Sequence, residues 1–435
     1  MISALRSVFS LLFGAGLMAF GVGLIGLLLP IRMDAEGVAP QIAGYVMSAY
    51  YAGFVAGSLM AQRIIGRVGH IRAFAAFAAT LTAAIMVHAL IFNVPVWGLM
   101  RGAVGFCMAG LYAVIESWLN VRSSNELRGR VLSMYTLTIY IASGIGQLAI
   151  NIDPNIQSLD PNIQRDAGLE MFALGALLTS LCLVPVVLTR VPGPELGNIK
   201  TMGLKALYQA SPLGTVATAG AGLMSGSLYA LGAVYGTEIG LSVFENSVFM
   251  GAPIIGGFLL QWPIGRLSDK FDRRTVLFGV LMATVGAAVL LGAFSMASRS
   301  FLLLATANLL LGGFLATIYP TAVAHAFDYI DRSQMVAANS GMLLAWAVGA
   351  TAGPLIASSV MGPSGPSGLF VFIASIAIIL AFYTRWRMSR RAAKPAEEQS
   401  KFVPVPATSA IAGALDPRAA PLPEFYYEDE DPGDR

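Results

Sequence analysis

Apolar stretches of about twenty residues recur along the whole chain, with few charges inside them and short polar connections between them. They run over 8–30, 41–65, 72–92, 95–119, 130–152, 168–189, 212–236, 243–264, 274–297, 300–327, 335–360 and 368–385. As a helix, each is long enough to cross a hydrocarbon layer roughly 30 Å thick. Backbone groups in lipid must find partners inside the protein, which leaves helices or closed barrels, and these runs lack the alternation of a barrel strand. The pattern predicts an all-α membrane protein with twelve transmembrane helices. The first run, from Val8 to Leu29, is too long for a signal-peptide core and reads as the first span.

Even numbers of spans put both termini on one side, and the basic residues say which. Arg63, Arg67, Arg72, Arg122, Arg128, Arg130, Arg190, Lys200 and Lys205 fall on one face, against Arg32, Arg165 and Arg299 on the other. Positive residues stay in the cytoplasm, so both termini are expected there. The longest internal connection, "RVPGPELGNIKTMGLKALYQAS", divides the spans six and six. The expected organisation is an N-terminal six-helix bundle over 1–190, a cytoplasmic linker over 191–211, a C-terminal bundle over 212–388 and a disordered cytoplasmic tail over 389–435. The tail has no apolar periodicity and ends in "EFYYEDEDPGDR".

The halves echo each other. Arg101, Gly105 and Tyr112 in span 4 precede Asn308, Gly312 and Tyr319 in span 10 by a constant offset, and Gly146-Gln147 matches Gly353-Pro354. Repeated six-helix halves mark transporters in which access alternates around a midplane site.

Composition adds mainly exclusions. The chain is 56% hydrophobic and 12% charged with a formal net charge of +3, and both cysteines, Cys107 and Cys182, lie in apolar spans as small buried hydrophobes. There is no P-loop, no Cys/His set with metal-ligand spacing and no visible nucleophile–base set, so neither an enzyme nor a cofactor is expected. The expected partners are a small-molecule solute, protons and the lipid bilayer, with no nucleic acid, and the chain is expected to act as a monomer.

Span 4 carries the most chemistry. Arg101, Gly105, Met108, Tyr112 and Glu116 share a stripe about 80° wide. Arg101 would cost about 2.5–3.5 kcal/mol facing lipid at the bilayer centre, so it should face the interior or a wet cavity. It reads either as a site for an anionic solute or proton coupling, or as a structural hydrogen-bonding hub. Glu116 lies about 22 Å further along the helix and reads as a gate residue. Asn308 and Tyr319 in span 10, Tyr140 and Gln147 in span 5, and Asn339 and Trp346 in span 11 form further polar and aromatic stripes. Such stripes either line a cavity or make interhelical seams. His88 reads as a packed histidine, and the many glycines as close helix contacts.

The connection "QWPIGRLSDKFDRR" concentrates mixed charge between two spans. Its "GRLSDKFDRR" resembles the signature between the second and third helices of each half in the Major Facilitator Superfamily: Gly265, Asp269, Lys270, Arg273 and Arg274 match, while Asp272 replaces a glycine. The first-half copy, "QRIIGRVGHIRA", keeps Arg67 and Gly69 but puts Gly66 where the acid belongs. "RGAVG" and "GATAGP" are similar to further superfamily patterns, and "LQWPIGRLSDKF", "IES", "RGRVLSMY" and "TIYPTAVAHAF" to its bacterial YcaD-type branch. The resemblance implies a secondary transporter of the bacterial inner (plasma) membrane working by alternating access and coupled to protons. It implies too that Asp269 meets a helix end of the other half, near Arg128 and Arg130, as a reversible latch. Glu116 is the expected stand-in for the missing acid, facing Arg67, Arg72 or Arg128. Efflux of a small amphipathic or anionic compound is the favoured direction; proton-driven uptake of a metabolite, or a non-transporting receptor or scaffold on the same fold, stands as the alternative.

Overall fold

Short polar punctuation sets where each helix starts and stops. Asn93 caps one by accepting from the Val96 N–H at 3.1 Å, and Ser242 with Glu245 forms a reciprocal capping box at another. Gly69, at φ +83°, turns the chain between two helices in a single residue, a backbone state that side chains with a Cβ disfavour. The computed structural model describes residues 2–123, 127–153, 156, 161–188, 201–297, 300–392, 394–395 and 398–419, and the side chains of these apart from 2–7, 161–167 and 296–297. Arg190, Lys200, Arg299, linker residues 191–200 and tail residues 420–435 lie outside the described residues, as does the side chain of Arg165.

Among the described residues the chain is helical, without strands. In order come α1 (Ile2–Ala35), α2 (Pro40–Val68), α3 (His70–Leu90), α4 (Val94–Arg122), α5 (Arg128–Ala149), α6 (Pro161–Leu181), the short α7 (Leu183–Val187) and α8 (Leu204–Ala210). They are followed by α9 (Pro212–Glu238), α10 (Val243–Lys270), α11 (Arg273–Ala297), α12 (Phe301–Phe327), α13 (Met335–Ser364) and α14 (Gly368–Arg390). Among these residues, 11 helices are long and apolar enough to cross a membrane. The twelfth expected span forms α9, a 27-residue helix that falls outside this set. Most of α9 is buried among other helices, so glycine, serine and threonine replace the apolar surface that lipid would demand.

Packing repeats along the chain. In the first half α1 lies on α5 and α6, and α4 on α2 and α3; in the second, α9 lies on α13, and α12 on α10 and α11. Four of these pairs meet backbone to backbone. A Cβ on Gly105 (α4) would overlap the Tyr50 carbonyl of α2, and one on Gly256 (α10) the Leu309 carbonyl of α12. Gly146 (α5) meets the Phe20 carbonyl of α1, and Gly349 (α13) the Ala219 carbonyl of α9, in the same way.

Contacts between the halves differ at the two ends. At the end away from α8 and the tail, a Cβ on Gly44 (α2) would reach Ser358 (α13) and Leu231 (α9), and Asn151 donates to the Ser247 hydroxyl of α10 at 2.9 Å. At the end holding α8 and the tail, here the linker end, the chain beyond α14 lies between them. Composition predicts disorder from residue 389 onward, yet Ser409 through Asp416 are buried, with a 3-10 turn over Ala410–Leu415 packed on α13, α4 and α5. The reason is local: "SAIAGAL" is uncharged, small and mostly apolar, so burying it desolvates no charge of its own.

Candidate functional site

The helices bring one cation into the middle of the molecule. Arg101 is 6% exposed, its guanidinium carbon 4.8 Å from the centre of the Tyr50 ring, and its Nε and Nη1 have no hydrogen-bond partner. Among the described residues it has no ion pair. A buried guanidinium satisfied only by a ring face leaves its planar fork free for a carboxylate or phosphate. Around it, α2 supplies Tyr50, Tyr51 and Phe54. Trp346 of α13 lies 6.0 Å from Tyr51, 6.3 Å from Phe54 and 6.4 Å from Tyr319 of α12, ring centre to ring centre. This aromatic cluster is built from both halves. Tyr112 and Trp346 are half-buried and border a small apolar cluster of Phe54, Ala109, Leu343 and Ala347.

Glu116 sits about one turn nearer the linker end than Tyr112 on α4, fully buried. It accepts hydrogen bonds from Tyr135 Oη of α5 at 2.9 Å and from the hydroxyls of Thr408 and Ser409 in the tail. The expected pairing with Arg67, Arg72 or Arg128 is not formed. A buried carboxylate needs donors, and hydroxyls supply them without burying a second charge. Asn339 of α13 faces the same segment, its Nδ2 donating to the carbonyls of Ser409 at 3.2 Å and Ala410 at 3.1 Å.

The charged connection between α10 and α11 does not meet the start of α5. Asp269 accepts from the Phe402 N–H at 2.6 Å, and the Phe402 ring lies over Gly265, where any Cβ would strike it. Arg273 pairs with Asp328 at 2.9 Å, both nearly inaccessible, and also donates to the Ser400 carbonyl. Arg274 grips Asp272 with Nε and Nη2 and reaches the Arg391 carbonyl at 2.7 Å. Burial pushes the Asp272 carboxyl up, but the Arg274 bonds outweigh it and hold the group below its ordinary value. For Asp328 burial wins: its carboxyl is raised despite Arg273 and the Ser400 donors. The latch residues are thus engaged by tail backbone, whose N–H and C=O groups a sequence does not index.

The remaining candidates separate. Arg67, Arg130 and Lys270 are exposed, and among the described residues they carry no ion pair. Arg128 is buried at the start of α5 with its Nε unpartnered. Gln147 is buried with an unpartnered Oε1, Tyr140 is half-buried, and Tyr319 keeps an unpartnered hydroxyl. Asn308 belongs to a seam instead of a cavity: its Nδ2 donates to the Phe249 carbonyl of α10 at 2.8 Å. Asn308→Ala is expected to lower stability by about 1–3 kcal/mol in micelles, through the orphaned carbonyl, and to leave solute binding unchanged. His88 is packed, bonded to the Ala84 carbonyl at 2.7 Å and stacked against Phe172.

Sequence reasoning missed Tyr50, Tyr51, Phe54, Tyr135, Thr408 and Ser409. Tyr50 and Tyr51 were findable: two adjacent phenols in an otherwise small-residue span are unusual beside a buried arginine.

A family model described as Major Facilitator Superfamily matches residues 11–153 and 213–419. Among curated proteins the chain is 28% identical over 377 residues to the MFS-type transporter YcaD of Shigella flexneri serotype 5b (strain 8401), covering 86% of this chain and 94% of that one. The YcaD of Escherichia coli O139:H28 (strain E24377A / ETEC) matches at the same identity and coverage. Among solved structures the fold resembles the nucleoside transporter NupG, with a TM-score of 0.71 at 11% identity over 87% of this chain and 99% of that one. It also resembles a bacterial homologue of the lysosomal transporter Spinster in an inward-facing, unoccupied conformation, with a TM-score of 0.65 at 14% identity over 97% and 99%. At these identities the likeness is one of fold.

Proposed function

This chain belongs to the Major Facilitator Superfamily and is a multi-pass membrane transporter, not an enzyme, and on that premise we propose that it moves a small anionic or amphipathic organic solute by alternating access. The observation that carries the reading is Arg101, buried without a counter-ion beside an aromatic cluster to which both halves contribute. Two six-helix units, 1–190 and 212–388, rock about that cluster, joined by the 191–211 linker. The chain crosses a bacterial inner membrane twelve times with both termini in the cytoplasm, a topology supported by the distribution of lysine and arginine. Direct contacts between the halves at one end, with the tail segment packed on α4, α5 and α13 at the linker end, support a state whose path faces the cytoplasm.

Proton coupling and net efflux complete the proposal. Glu116, a buried carboxylate with hydroxyl partners and no cation among the described residues, supports a role for protons, since neutralising such a group removes its desolvation cost. The test begins with a thermal-shift screen of metabolites and drugs on the purified protein. Hits are then followed in inside-out vesicles carrying a pH-sensitive dye. An anionic compound should stabilise the protein, accumulate when the lumen is acid, and move protons outward as it enters. Solute accumulation without proton movement overturns coupling; a preference only for cations or neutral sugars overturns the substrate class.

A further inference from the structure

The tail's course is that of a loop with a closed neck. At the neck, Arg418 donates to the Ser400 hydroxyl at 3.2 Å and the Lys401 carbonyl at 3.0 Å, while gripping Asp416 and lying 5.4 Å from the Phe327 ring centre. From there the chain enters the linker-end mouth, touches the central apolar cluster through Ala407, and turns at Thr408 and Ser409. It leaves through Ile411 to Asp416, of which Ala412, Leu415 and Asp416 are wholly inaccessible. Compact loops with neighbouring ends and self-packed interiors are recurrent functional elements.

Its contacts alternate between the halves. Glu116 on α4 and Gly129 on α5 touch it from one side. Asn339 on α13, Gly265 and Asp269 on α10, Arg273 and Asp328 touch it from the other. Held by both halves in the mouth, such a segment would block the path by which solute reaches the Arg101 region and would keep the halves from closing at that end.

We infer that the linker-end mouth is a binding surface whose occupant is the chain's own segment 400–418, a tethered plug that must withdraw before solute enters or the mouth closes. The plug states the chemistry of its competitors: hydroxyl or ammonium donors for Glu116 and a carbonyl or carboxylate acceptor for Asn339. Whatever draws the tail out switches the transporter on.

The test uses full-length protein in membranes, where native Cys107 and Cys182 are buried. A Cβ on Gly413 would lie 2.7 Å from the Asn339 Cβ, closer than the roughly 3.5–4.5 Å that a disulfide spans, so a shift of about 1 Å in the tail lets Gly413→Cys/Asn339→Cys form a disulfide under mild oxidation. Gly44→Cys/Ser358→Cys at the opposite end, with 3.0 Å between the corresponding atoms, reports whether the halves hold this arrangement. Cross-linking at the opposite end without cross-linking of the tail overturns the plug. Independently, Leu343→Cys should be shielded from a membrane-impermeant maleimide. Adding Gly413→Trp, which cannot fit beside Asn339, should raise labelling on the order of tenfold, and a synthetic peptide of residues 400–418 should restore protection. Labelling that is equally fast with and without Gly413→Trp also overturns it. Neither measurement needs a known solute, so the plug stands or falls apart from the transport reading.

Discussion

Replacing Arg273 by methionine is expected to destabilise the folded protein by about 3–5 kcal/mol, because it strands the Asp328 carboxylate in a site with almost no solvent. Denaturant titration in micelles measures the loss. Its pH dependence identifies the cause. Burial already raises the Asp328 carboxyl, and Arg273 is the charge pulling it back. Without that charge the folded-state value climbs further above the unfolded one. A group raised in this way contributes stability at pH below its unfolded value and loses it as pH rises through its folded value. The deficit of Arg273→Met should therefore shrink in acid and be full at neutral pH. A deficit independent of pH would mean that Asp328 remains ionised and hydrated. Arg273→Met/Asp328→Leu should recover most of the stability, since an apolar pair of similar volume carries no desolvation cost.

Arg101→Ala is expected to weaken binding of an anionic solute about 100-fold or more, the loss of one charge-assisted contact in a dry site. Arg101→Lys should restore only part of it, because an ammonium is a point charge without the two-pronged fork. The same alanine variant should be no less stable than the parent, since it removes a buried guanidinium without a counter-ion. Weaker binding with unimpaired stability is the signature of a binding residue; a structural hub would lose both. Undiminished thermal stabilisation by solute in Arg101→Ala would remove the arginine from the site.

Much of the fold was legible because lipid imposes one rule, that apolar length equals a span, and eleven of the expected windows became helices that satisfy it. The rule weakens for α9, which other helices surround, so its composition reports packing instead of lipid. Arg101 was legible for the complementary reason: a charge so deep in an apolar run must turn inward. Asn308 shows the limit of periodicity, since a polar side chain on an interior stripe can equally bond the carbonyl of a neighbouring helix. The tail shows another limit. Low hydrophobicity averaged over 389–435 suggested disorder, while the uncharged run around Ile411 was short enough to vanish in that average. Asp269 found a partner that no pairing of side chains reveals, the Phe402 amide.

The glycine contacts have a mechanical consequence. Where Gly105 meets the Tyr50 backbone and Gly256 the Leu309 backbone, no flexible side chain lies between to absorb a shear, so each such pair of helices moves as one stiff plank. In the proposed alternating-access cycle, displacement would concentrate where side chains alone meet, as along the rings of Tyr51 and Trp346. Bulkier residues at the glycines would force these helix pairs apart, whereas trimming those rings would loosen the packing between the halves.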